Sequence, residues 1–174
     1  LEYNSSYPLE KKTSDFTNIL KPIISARYSP NKSKNAREDD KRIDTDNIFS
    51  LNRIGSNESV EGGGSLSLGT EFYKSDKSDR EIIAAKIANV LKLEEDNNLA
   101  HNSSLGRKTS DIVGSITYNP SEIFQINYEF SQDENLKDTN YQSLESEFKV
   151  NNFVTSFEYL NENNTNKNLS YLSN

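Results

Sequence analysis

The strongest constraint in this sequence is alternation with a period of two. Phe124, Ile126, Tyr128 and Phe130 are separated by Gln125, Asn127 and Glu129. Successive side chains of a β-strand point to opposite faces, so such a run predicts a strand with one apolar and one polar face. Just before it, Ile112, Gly114, Ile116 and Tyr118 alternate with Val113, Ser115 and Thr117. Asn119-Pro120-Ser121-Glu122 between the two runs supplies turn chemistry, with Pro120 fixing φ, and predicts a hairpin. The same grammar recurs where Leu144, Ser146, Phe148 and Val150 alternate with Glu145, Glu147 and Lys149. Asn151-Asn152 makes a tight turn because Asn tolerates positive φ, and Phe153, Thr155, Phe157 and Tyr159 then alternate with Val154, Ser156 and Glu158. Runs of roughly ten residues suffice to cross a bilayer as tilted strands.

Weaker versions lie upstream. Leu66, Leu68, Thr70 and Phe72 alternate with Ser65, Ser67, Gly69 and Glu71. Residues 19–28 form a further candidate, weakened by Pro22, which cannot donate to a ladder. Leu169–Leu172 begins another. The segment Arg80–Glu95 is ambiguous. Its Ala, Leu, Lys and Glu content favours a helix, with Ile83, Ile87, Val90 and Leu91 on one face; as a strand it aligns Ile83, Ala85, Ile87, Leu91 and Leu93, interrupted by Asn89. Connection lengths favour the strand. Tight links near Asn119 and Asn151 alternate with longer ones over Gln132–Asn140 and Asn161–Asn168. Extended backwards, the scheme makes Glu94–Lys108 an outer loop, Lys74–Asp79 an inner turn and Pro30 to about Val60 a long outer loop, provided Arg80–Leu93 is a strand. Short turns at one end and long loops at the other characterise outer-membrane barrels.

Composition by itself misleads. Only 32 % of residues are apolar and mean hydropathy is −0.84, values near those of disordered chains. A transmembrane barrel meets the same numbers, because only its lipid-facing half is apolar. Nine Tyr and eight Phe favour the barrel over a disordered tail. The net charge of −7 argues against nucleic-acid binding, and the absence of Cys excludes thiolate catalysis and disulfides within the chain. No run reaches the eighteen or so apolar residues of a membrane helix. The predicted fold is therefore all-β: antiparallel up-and-down strands of a large transmembrane outer-membrane β-barrel, in a partial, open fragment of about eight strands.

Nothing in the sequence assembles into a catalytic, cofactor or metal site. His101 stands near Glu94, Glu95 and Asp96, but one His with nearby acids reads as a solvated loop. Gly62-Gly63-Gly64 lacks the strand, helix and Lys-Ser/Thr pair of a phosphate loop and reads as a bend, a bulge or a close strand approach. Glu38, Asp39, Asp40, Asp44 and Asp46 around Lys41 and Arg42 read as a solvated loop, the alternative being a surface loop that meets divalent ions bridging phosphates. The sequons Asn57-Glu58-Ser59 and Asn102-Ser103-Ser104 are expected by chance in so Asn- and Ser-rich a chain. Asn47–Arg53 stands out as an apolar patch in a polar region, either a short extra strand or a loop plug, with Arg53 available to a lumen carboxylate.

That patch, with Val60-Glu61-Gly62-Gly63 and the Leu66/Leu68/Gly69 alternation, resembles the barrel domain of the LptD family. Leu20-Lys21-Pro22 through Tyr28-Ser29-Pro30, Ser110-Asp111-Ile112-Val113-Gly114, Tyr118-Asn119-Pro120 and Tyr128–Asp133 follow in the family's order. The residues carrying the resemblance are Phe49, Asn52, Arg53, Gly62, Gly69, Asp111, Gly114 and Pro120. It implies a lipopolysaccharide translocon of the bacterial outer membrane that inserts lipopolysaccharide into the outer leaflet. Partners implied are lipopolysaccharide, an LptE-like lipoprotein plug, and periplasmic lipopolysaccharide-bridge proteins acting through an N-terminal jelly roll. The resemblance implies no enzyme activity and no cofactor.

Residues 1–174 are then expected to be part of one barrel domain, with 30–60 a long extracellular loop, and with the jelly roll and the first and last barrel strands outside the fragment. On this reading Phe124, Ile126, Tyr128, Phe130, Phe148, Phe157 and Tyr159 face lipid, while Gln125, Asn127, Glu129, Glu145, Glu147 and Glu158 face the lumen. A porin or nutrient receptor, and a soluble all-β binding module, are the competing classes.

Overall fold

The computed structural model describes residues 1–39, 41–53, 61–164 and 167–173. Asp40, Val60 and the sequon at Asn57 lie outside them. Ten strands form one antiparallel sheet: β1 Glu2–Ser6, β2 Leu9–Lys12, β3 Phe16–Ser29, β4 Gly63–Asp76, β5 Glu81–Lys92, β6 Ile112–Ser121, β7 Phe124–Gln132, β8 Thr139–Val150, β9 Phe153–Asn164 and β10 Lys167–Ser173. From β3 onward, neighbours in the sheet are neighbours in the chain.

β1 and β2 pair with successive stretches of β3, Ser6 opposite Ile23 and Leu9 opposite Leu20, and so share one position in the sheet. Ten strands therefore fill nine positions, one more than the eight expected. Pro8 hid that position by splitting it into runs of five and four residues. Pro22 fits the interior of β3 for the same reason. Its carbonyl accepts from Tyr7 N–H at 3.1 Å, so its missing N–H points to the break between β1 and β2.

The ambiguous segment Arg80–Glu95 is a strand. β5 pairs with β4 along its length and with β6 over Ile83–Ala88, and these ladders override its helical propensity. Connections separate by length into two ends. Turns at 13–15, 77–80, 122–123 and 151–152 close one end; the loops 30–62, 93–111 and 133–138 stand at the other.

Several boundaries differ from the expectation. β4 runs to Asp76, so the turn expected over Lys74–Asp79 lies at 77–80, and the loop expected over Glu94–Lys108 spans 93–111. The turn predicted at Asn119–Glu122 sits at 122–123 instead, because β6 continues through Pro120 to Ser121 across a register irregularity where a missing donor is harmless. The long link predicted over Asn161–Asn168 is mostly ladder, with β9 reaching Asn164 and β10 resuming at Lys167, since backbone pairing tolerates Asn-rich side chains.

Register carries the alternation across the whole sheet. One row of directly opposed residues reads Leu9, Leu20, Phe72, Ala85, Ile116, Tyr128, Leu144 and Tyr159. The row one residue away, on the other face, reads Lys21, Glu71, Lys86, Ser115, Glu129 and Ser143, and meets an apolar residue only at Leu160 of β9. On the apolar face Leu20, Ile24, Leu68, Ile87, Ile116, Phe148 and Phe157 are all exposed. The buried core lies on the polar face, where Ala36, Ile43, Ile48, Leu99 and Leu105 of the two long loops pack on Ala88, Val90 and Val113.

Candidate functional site on the polar face

The first long loop lies down on the sheet instead of standing in solvent. Along residues 42–53 its side chains touch successive strands. Arg42 reaches β8 and β9, pairing with Glu162 at 2.6 Å and stacking 3.7 Å from the Tyr141 ring centroid. Thr45 Oγ1 donates to Ser115 Oγ of β6 at 3.0 Å, and Asp46 pairs with Lys86 of β5 at 2.8 Å. Ile48 is buried over Ala88 and Val90, and its carbonyl accepts from Ser67 of β4. Asp44 shapes the bend by accepting from the N–H groups of Asp46 and Asn47, which are Asx-turn bonds. Residues 42–53 thus form a strap across the polar face from β9 to β4.

The strap ends in a buried ionic cluster. Arg53 donates to both carboxylate oxygens of Glu61, at 2.7 and 3.0 Å, and to Ser65 and Ser67. Arg27 of β3 donates to Glu61 at 2.8 Å and Lys92 of β5 lies 3.3 Å from it. Arg27, Ser65 and Lys92 are register partners, so the cluster is built on one row. All four charged side chains are at most 5 % exposed. Burial pushes the Arg53 guanidinium below its ordinary value, with Glu61 pulling the other way. Taking one partner from such a pair typically costs about 3–5 kcal/mol.

The two long loops are also zipped together. Ala36 N–H donates to Asn98 O at 2.7 Å and His101 N–H to Arg37 O at 3.3 Å, while Ser33 Oγ bonds Asp96 and accepts from Gly62 N–H. His101 accepts from Arg37 Nε at the start of a short 3₁₀ turn.

The residues singled out by resemblance divide into those with a buried role and those without. Phe49 packs against the core with its ring over Gly69, where a Cβ would stand 2.7 Å from Phe49 Cζ. Gly62 has no room for a side chain against the backbone of residues 31–33. Gly63 starts β4 with φ +76°, a backbone conformation that glycine adopts without strain. Asp111 is buried, accepts from Ser131 Oγ at 3.0 Å and Asn140 Nδ2 at 2.8 Å, and donates its N–H to Ser104. Gly114 lies under the ring of its register partner Phe130 on the apolar face. Asn52 and Pro120 are exposed.

The six polar candidates share the face that carries the strap. Asn127, Glu145 and Glu158 are successive register partners, Gln125 opposes Glu147, and Glu129 opposes Ser143. In the acidic stretch Glu38, Asp39 and Asp46 are exposed, while Arg42 pairs with Glu162 and Asp46 with Lys86. Sequence reasoning missed Arg27 and Lys92 and did not connect Glu61 to Arg53. The available signal was a cation on the polar side of the alternation near the same end of two strands.

An antiparallel sheet with an exposed apolar row on one face, and a polar face roofed by its own loops, is the wall of a transmembrane β-barrel. Compared with individually curated proteins, the chain gives no match. The sequence pattern of the family described as LptD: LPS transport system D matches residues 1–174, and the chain belongs to that family. Its class of function is lipopolysaccharide transport.

Proposed function

We propose that this chain is part of the outer-membrane lipopolysaccharide translocon, its apolar face in lipid, its polar face lining the lumen, and residues 30–60 on the extracellular side. The observation that carries the reading is the pair of adjacent rows: eight apolar or aromatic residues on one face, and charged or hydroxyl residues one position away. Hydrocarbon tolerates the first row and not the second. Lys74 supports the placement. It stands on the apolar face near the 77–80 turn, with its ammonium 4.1 Å from the Phe16 ring centroid, as a cation at a membrane interface would.

On this reading the segment supplies wall, lumen surface and outer loops for lipopolysaccharide insertion into the outer leaflet. The chain's role is passive and non-enzymatic. The uncovered polar face of β7–β9 is where an LptE-like plug or the cargo itself would lie, and delivery depends on bridge proteins on the periplasmic side.

The test is site-specific photo-crosslinking in the full protein in living cells. Photoreactive residues at Asn127, Glu129 and Glu145 are expected to capture lipopolysaccharide only while the cell is energised, and one at Ile126 to capture lipid regardless. Absence of lipopolysaccharide adducts at all three polar-face positions overturns the proposal.

A further inference from the structure

We propose that the rim of the sheet at β3–β5 holds a binding site for the phosphate group of an amphiphile, with the Lys92 ammonium as its main contact. The proposal rests on the reading of the apolar face as lipid-facing and of the long loops as extracellular. A cavity of about 560 Å³ lies where β3, β4 and β5 meet those loops, lined among others by Tyr28, Lys32, Ser33, Gly64, Lys92 and Leu93. It reaches both faces of the sheet. Tyr28 opposes Gly64 on the apolar face, with Leu93 against the same glycine, and both side chains are exposed. Lys92, opposite Ser65, belongs to the polar face.

Lys92 is the unusual member of this lining. Its side chain is 2 % exposed, and its ammonium, which carries three donors, makes no hydrogen bond. Glu61 Oε1 lies 3.3 Å away but already accepts from Arg53 at 2.7 Å. Among the described ion pairs, three buried cations surround that one carboxylate, so the cluster carries surplus positive charge. Burying charge without a counter-ion is costly. A phosphate entering from the cavity supplies both the missing acceptors and the missing charge.

The level of the cavity in the membrane points to an amphiphile. On β3 the apolar face continues from Leu20 through Ile24 and Ala26 to Tyr28, whereas on β9 Tyr159, of the same row as Leu20, is followed on that face by Asn161. The loop-side limit of the apolar band therefore climbs from β9 to β3, as strands tilted in a bilayer require. Tyr28 and Leu93 stand at that limit, where acyl chains give way to headgroups, and the ammonium lies one residue away. Three carboxylates also line the cavity. Asp96 is engaged by Ser33 and the Asn98 N–H, and Glu94 and Glu95 are exposed, where solvent and salt weaken their opposition to an anion.

The experiment uses the full protein purified in a neutral detergent, with dodecyl phosphate and inorganic phosphate as probes and binding followed by phosphorus NMR against protein-free micelles. Lys92→Gln is expected to weaken dodecyl phosphate about tenfold, the scale of a lost charged hydrogen bond, and to fold normally because Glu61 keeps both arginines. Lys32→Gln, on the exposed rim, is expected to weaken it to a smaller degree. Leu93→Asn is expected to weaken dodecyl phosphate while leaving inorganic phosphate unchanged, since it removes only the apolar contact. Unchanged affinity in Lys92→Gln, or in Lys32→Gln if the first variant does not fold, overturns the site. Inorganic phosphate bound as tightly as dodecyl phosphate, with Leu93→Asn indifferent, overturns the amphiphile. Failure of the underlying reading shows separately. The chain contains no cysteine, and a Glu95→Cys thiol that a bulky polyethylene-glycol maleimide labels in lysed but not in intact cells places these loops on the wrong side of the membrane.

Discussion

The Phe49 ring lies on the bare backbone of Gly69, at a point where the strap crosses β4. A Cβ at Gly69 would also stand 2.7 Å from both Ala88 Cβ and Ile87 O. Gly69→Ala should therefore destabilise the sheet by about 1–3 kcal/mol through overpacking. Adding Phe49→Ala should recover only part, because the Ile87 carbonyl cannot yield. Equilibrium unfolding of the refolded full protein in detergent measures both, and an unperturbed Gly69→Ala variant would show that the strap does not press on β4.

Glu61 is the sole carboxylate in contact with Arg27, Arg53 and Lys92 among the described ion pairs. Glu61→Gln should cost about 3–5 kcal/mol because three buried cations lose their counter-charge. Glu10→Gln, which breaks an exposed pair with Lys12, should cost under about 1 kcal/mol. The temperature at which the folded band disappears on a gel ranks the two variants, and equal shifts would contradict the buried cluster.

Neighbouring residues on β7 should respond oppositely to the same side chain. Ile126→Lys places a charge on the apolar face and should cost about 2–4 kcal/mol if that position lies near the midplane, against much less for Asn127→Lys. Matching stabilities in lipid would refute the assignment of faces.

The 133–138 loop carries its own pH dependence. The N–H groups of Asp138 and Lys137 donate to the Asp133 carboxylate and hold its pKa below the usual carboxylate value. A depressed carboxyl stabilises the turn above the ordinary carboxylate range, and the contribution disappears as pH falls through the lowered value. The protection factors of the Lys137 and Asp138 amides, which correct exchange for its intrinsic pH dependence, should therefore fall on acidification, while Asp133→Asn should abolish that dependence.

How much of this was legible depended on whether the determinant was local. The hairpins around Glu122 and Asn151 were readable because a two-residue period and a turn residue suffice. β5 was not, since Ala84, Ala88 and Val90 suit a helix equally well until β4 and β6 flank them. The first sheet position was obscured by Pro8, which splits it into two short runs. The strap has no period, so Phe49 and Arg53 stood out only as unusual residues. Their partners Gly69 and Glu61 are set by packing, which no local pattern encodes.

The roof over the polar face has a consequence for biogenesis. Ile43 and Ile48 come from the connection between β3 and β4, and Leu99 and Leu105 from that between β5 and β6, yet they meet over Ala88, Val90 and Val113. No single hairpin contains all these contributors. Closure must wait until four strands stand side by side, and an incomplete wall leaves those side chains uncovered. The two loops thereby proofread assembly, sealing only over strands already in register.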